Sequence, residues 1–103
     1  MMTKLLNEVE ELTKAELARC NEQHPLFASN HEGAAVIREE VEEAEDEMGW
    51  IKDLYHYLWG AVKDDEPETA TKAACELKER AIRCACECIQ VAAMCEKLKL
   101  SQR

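Results

Sequence analysis

Residues 37–62 read IREEVEEAEDEMGWIKDLYHYLWGAV. Within this stretch Ile37, Val41, Ala44, Met48, Ile51, Tyr55, Leu58 and Val62 recur at alternating intervals of four and three residues. That spacing keeps one face of an α-helix apolar, and the alternation is the heptad-like seam of a helix packed along another helix. A second stripe runs beside it through Val36, Glu40, Glu43, Glu47, Trp50, Leu54 and Tyr57, apolar at both ends and acidic in the middle. Gly49 and Gly60 interrupt the pattern, each at a cost of about 1 kcal/mol relative to alanine. A bend at either is therefore open; an unbroken helix over about residues 30–63 would be on the order of 45–50 Å long.

Working outward from this helix, Lys63-Asp64-Asp65-Glu66-Pro67 reads as a turn, with Asp65 and Glu68 spaced as a capping pair and Pro67 suited to a first helical turn. A third helix is expected over about 67–99, with a seam of Leu77, Ala81, Cys84, Cys88, Val91, Cys95 and Leu98. Its three cysteines read as small apolar fillers. Upstream, Ser29 and Glu32 match the capping box that opens the central helix. A first helix over about 3–20 carries a partial stripe of Leu5, Val9, Leu12 and Leu17 and ends in the break Asn21–Pro25. The fold class is all-α: one domain over 1–103, an antiparallel helical hairpin plus an N-terminal helix. A two-helix hairpin shows apolar residues on two sides and cannot bury both alone. Oligomerisation, as a homodimer or homotetramer, is expected to complete the bundle.

Composition excludes several classes. The 103 residues hold 13 Lys+Arg and 22 Asp+Glu, for a net charge of −9, which opposes binding to a nucleic acid polymer. Scarce glycine, proline and aromatic residues argue against turn-rich β architectures. No apolar run is long enough for a membrane span and no signal peptide is apparent. Six cysteines, three of them in the short run Cys84–Cys88, read as free thiols, so a reducing cytoplasmic location is expected.

Residues 39–47 hold seven acids in nine positions. Such a run is ordinarily a solvated face. With Asp65 as the turn centre, however, position n faces position 130 − n. This sets Glu43 opposite Glu87, Glu40 opposite Gln90, Glu47 opposite Arg83 and Trp50 opposite Arg80. Crowded carboxylates take up protons or bind a cation, and oxygen ligands without His or Cys suit Mg²⁺ or Mn²⁺. Arg80, Arg83 and Lys78 form the nearby basic cluster. They either hold phosphates or pair with the acids of the second helix, and Glu47 either ligates or pairs with Arg83. His31, at the start of that helix, is a candidate for substrate contact. Trp50, Tyr55, Tyr57 and Trp59 read as core or dimer contacts.

Glu40-Val41-Glu42-Glu43, with Glu87-Cys88-Ile89-Gln90, resembles the paired Glu-x-x-Glu and Glu-x-x-Asp motifs of the MazG-like all-α nucleoside triphosphate pyrophosphohydrolases. The strings at residues 31–40 (HEGAAVIREE) and 90–94 (QVAAM) are similar to a phage- and prophage-associated branch of that superfamily. The resemblance covers roughly residues 27–95. It implies Mg²⁺-dependent hydrolysis of a nucleoside triphosphate to the monophosphate and pyrophosphate, in a helical bundle completed by dimerisation or tetramerisation. It implies that Glu40, Glu43 and Glu87 are catalytic metal ligands. Gln90 stands where the family has aspartate; its amide oxygen can ligate Mg²⁺ but brings no charge. A spacing of 43 residues between Glu43 and Glu87 exceeds the family's usual one, as expected if both helices extend beyond the site. The alternative is a non-catalytic MazG-like helical protein that binds nucleotide, metal or a protein partner.

Overall fold

The computed structural model describes residues 2–23 and 26–102. They form three helices, α1 (Met2–Gln23), α2 (Asn30–Lys63) and α3 (Pro67–Leu100), and the described residues contain no strand. α2 and α3 pack as a hairpin. α2 is one continuous helix of 34 residues through both Gly49 and Gly60. α1 runs three residues past its expected end at residue 20; the expected break includes His24 and Pro25, which lie outside the described residues.

Ser29 caps α2 as expected, its Oγ accepting the backbone N–H of Glu32 at 3.1 Å. The turn between α2 and α3 differs from its expected form. Asp65 is not an N-cap but the left-handed residue that ends α2, with φ 53°. Its N–H donates to the Val62 carbonyl, and the Glu66 N–H reaches back to the Ala61 carbonyl at 2.9 Å. These are the two hydrogen bonds of a Schellman closure. The Glu66 carbonyl then accepts from the Ala70 N–H, so Glu66 caps α3 and Pro67 takes the first helical position, where a missing N–H costs nothing.

Contacts divide the chain into two units. The first comprises Met1–Val41 and Glu87–Arg103. Its core is Phe27, Ala93 and Met94, packed by Leu17, Cys20, Val36, Ile37 and Leu98. Ser101, itself buried, accepts the Phe27 backbone N–H at 3.0 Å and donates to the Lys97 carbonyl, tying the loop before α2 to the end of α3. Leu5 and Leu12 are exposed, contrary to the stripe expected of α1; its packed side is Val9, Thr13, Glu16, Leu17 and Cys20.

The second unit is Glu42–Cys86, the turn end of the hairpin. Ala61, Ala73 and Cys84 are buried there, and the Cys84 thiol donates to the Ala44 carbonyl at 3.8 Å.

The packed face of α2 corrects the expected seam. A continuous line of positions protected from solvent runs through Gly33, Ile37, Glu40, Ala44, Glu47, Ile51, Leu54, Leu58 and Ala61, again four and three apart, with Val36 and Gly60 partly protected beside it. This line falls between the two stripes and takes residues from each. Val41, Met48, Tyr55 and Val62 are exposed, as are Trp50, Tyr57 and Trp59. On α3 the protected line is Ala70, Ala73, Leu77, Arg80, Cys84, Glu87, Val91, Met94, Leu98 and Ser101. Ala81, Cys88 and Cys95 are exposed, so Cys84 alone of the expected cysteine fillers is buried.

The glycines of α2 are not equivalent. A Cβ on Gly33 would lie 2.7 Å from Leu98 Cδ1 and 2.9 Å from Phe27 Cδ2, inside the packed first unit. A Cβ on Gly49 would meet nothing within 4 Å. Gly49→Ala is expected to stabilise the chain by about 1 kcal/mol through helix propensity. Gly33→Ala is expected to destabilise it by about 1–3 kcal/mol through overpacking. Urea unfolding of the two variants, read by circular dichroism, should move the midpoint in opposite directions.

Candidate metal centre

Of the seven acids in 39–47, five are exposed: Glu39, Glu42, Glu43, Glu45 and Asp46. Glu40 and Glu47 are partly buried because they occupy the packed line of α2, where heptad spacing would place an apolar side chain. Each meets an ionisable partner on the packed line of α3.

Glu47 is compensated. Its carboxylate accepts from Arg80 Nη1 at 3.3 and 3.4 Å, and the Arg80 guanidinium also lies 5.1 Å from the centre of the Trp50 ring. The expected neighbours Trp50 and Arg80 are thus together, but Glu47 pairs with Arg80 and not with Arg83, which is exposed. The cause is register. The Schellman hydrogen bond joins residues 61 and 66, whose numbers sum to 127, and Glu47 and Arg80 keep that sum. The fold-back centre sits before Asp65, and the pairing shifts by three residues from the expected one.

Glu40 and Glu87 share the same sum. Both are partly buried, and with exposed Glu43, one turn further along α2, they offer carboxylate oxygens that all lie within 4.8 Å of one another. Glu43 and Glu87 come together as the sequence suggests, and Glu40, at its heptad position, joins them. The donor set is all oxygen and triply acidic, which suits a hard divalent cation. Glu40, Glu43 and Glu87 would be the residues to hold such a cation.

The other expected site residues lie elsewhere. Gln90 Nε2 donates to Glu16 Oε1 at 2.7 Å, an α1–α3 contact within the first unit. A carboxylate only accepts, so this bond fixes the amide with its nitrogen toward Glu16. Lys78 is exposed. His31 is exposed and nine residues before Glu40, about 13 Å along the axis and on the opposite side of the helix. Glu16 was not singled out in the sequence. Its only signal there is Arg19 one turn later, and its pairing with Gln90 spans 74 positions.

Glu16 is held ionised. Hydrogen bonds from Arg19 and then from Gln90 hold its carboxyl below the usual glutamate range. Burial pushes the neighbouring Cys20 thiol up, with the Glu16 charge adding to the effect. Comparisons with family models, curated proteins and solved structures find no match for this chain.

The lowered Glu16 value gives a signed expectation. A carboxyl more acidic in the folded state adds stability that is complete above the ordinary glutamate range. That stability is lost as pH falls through the folded-state value. Gln90→Leu removes one of the two hydrogen bonds that hold the charge. Carbon-detected NMR titration of Glu16 should find its midpoint raised in this variant, and the acid-side loss of stability should become shallower.

Proposed function

We propose that the chain is a Mg²⁺- or Mn²⁺-dependent nucleoside triphosphate pyrophosphohydrolase of the MazG-like, phage-associated kind. The observation that supports the reading is the convergence of Glu40, Glu43 and Glu87 from two helices, two of them partly buried at packed positions. Three carboxylates brought together from two helices are a donor set that a divalent cation would bridge. When bound, the cation neutralises phosphate charge and activates a water. Glu40, Glu43 and Glu87 would hold it. In the overall reaction a water oxygen bonds to the α-phosphorus, the bond from that phosphorus to the bridging oxygen breaks, the products are monophosphate and pyrophosphate, and the water's protons pass to the product phosphates or to solvent. Arg80, bound to Glu47 and stacked on Trp50, acts in this reading as a fixed brace beside the acids. The substrate pool of such an enzyme is cytoplasmic, and no helix among the described residues is long and apolar enough to cross a membrane.

A second copy of the chain belongs to the same reading. The chain exposes 7772 Å², whereas a folded monomer of 11.8 kDa exposes about 5900 Å². Met48, Trp50, Tyr55, Tyr57, Trp59 and Ile82 supply much of the exposed apolar surface. A homodimer or homotetramer would cover it.

A non-catalytic binding protein is the second reading, and Gln90 favours it. Its nitrogen is spent on Glu16, and an aspartate there would face the Glu16 carboxylate.

In wild type, Mg²⁺ at a hundred times its Kd should stabilise the fold by about 2.7 kcal/mol. Glu43→Gln should lose this response. The same variant should lose more than about 100-fold in turnover of nucleoside triphosphates, read as chromatographic release of pyrophosphate from particles of two or four chains. Unchanged turnover in Glu43→Gln would falsify the enzyme reading. Turnover found only in Gln90→Asp would favour the second.

A further inference from the structure

Lys97 is the most buried charged residue described, 4% exposed, in a chain that carries 13 basic residues. Among the described residues its ammonium meets the face of the Phe27 ring, 4.8 Å from the ring centre, and no carboxylate within ion-pair distance. The residue is buried mainly through its stem, since no side-chain nitrogen among the described residues is both buried and without a hydrogen-bond partner, and the ring face leaves the ammonium able to take an anionic partner. Lys97 also lines a cavity of about 340 Å³ in the first unit. Leu26, Phe27, Val36 and Met94 make its apolar walls, and Cys20 and Glu32 complete it. The volume is at the lower end of small-molecule sites, whose walls are mostly apolar with a few placed polar or charged groups.

We propose that this cavity binds a small organic monoanion, a carboxylate on a compact apolar body, with the carboxylate on Lys97 and the body against Phe27, Val36 and Met94. The charges of the lining choose the class. One buried cation accommodates one negative charge, while Glu32, exposed in the first turn of α2, repels a second. A dianionic phosphate ester is thereby disfavoured relative to a carboxylate. The Cys20 thiol stays protonated, so binding is non-covalent and the wall near the ligand stays neutral. The site is independent of the acidic trio. His31, the one candidate that the sequence offered at this end of α2, is exposed and does not line the cavity.

The test uses the full chain labelled with ¹³C in its methionine methyls, titrated with benzoate, phenylacetate and hexanoate, with benzamide and phenyl phosphate as controls. Saturable shifts of the Met94 methyl with the carboxylates are expected, and with benzamide and phenyl phosphate at least about tenfold weaker binding. Lys97→Met keeps the length and burial of the side chain and removes its charge; it should weaken carboxylate binding about tenfold or more while circular dichroism stays helical. Val36→Phe, which fills the cavity and leaves Lys97 in place, should abolish binding even if Lys97→Met does not fold. Three outcomes overturn the proposal: no saturable Met94 shift with any carboxylate, equal binding in a folded Lys97→Met, or phenyl phosphate bound as tightly as benzoate. None of them bears on nucleotide turnover.

Discussion

The hydrogen bond from the Glu66 N–H to the Ala61 carbonyl sets the pairing on which the candidate site depends. It closes α2 with Asp65 in a left-handed conformation, unusual for a residue with a side chain, where aspartate is among the few tolerated. From that point one line of protected positions on each helix repeats at intervals of four and three. Residues whose numbers sum to about 127 meet: Ala44 with Cys84, and Glu47 with Arg80. A closure one residue longer or shorter would rotate charged side chains off the packed line and apolar ones onto it.

Two polar pairs on one packed line have opposite characters. Glu47 and Arg80 neutralise each other, and Trp50 covers the guanidinium. Such a pair adds little net stability but penalises any other alignment, since a shifted partner would leave a charge partly buried and alone. Glu40 and Glu87 are both acids and meet across the hairpin. With Glu43 they concentrate negative charge at a place the helices hold in position.

The helices were legible because their signals are local. Ser29 as a cap, Pro67 at a first turn and the four-three spacing each act within a few residues. The packed face was harder. Hydrophobicity pointed to Val41, Met48, Tyr55 and Val62, whereas the protected line passes through Glu40 and Glu47. A charged residue on a packed line is invisible to a count of apolar positions, and the exposed aromatic residues of α2 pulled the expected face to either side. Register was misplaced by three residues because an N-cap and a left-handed C-terminal residue both favour aspartate, and Asp65 fits either role locally. Glu40, Glu43 and Glu87 nevertheless emerged as a group, since a three-residue error moves a pairing by less than one turn and the acids themselves lie one turn apart. The Gln90–Glu16 bond was not legible, because nothing in either local sequence encodes a contact across 74 positions.

The unbroken repeat on both arms of the hairpin makes its length adjustable in fixed steps. Excising seven residues from α2 between Glu47 and the turn, together with seven from α3 between the turn and Arg80, returns every remaining packed position to the same face. Glu40 and Glu87 would still meet, as would Glu47 and Arg80. The turn end can thus lengthen or shorten in steps of seven residues on each helix while the pairings on either side of the step keep their faces.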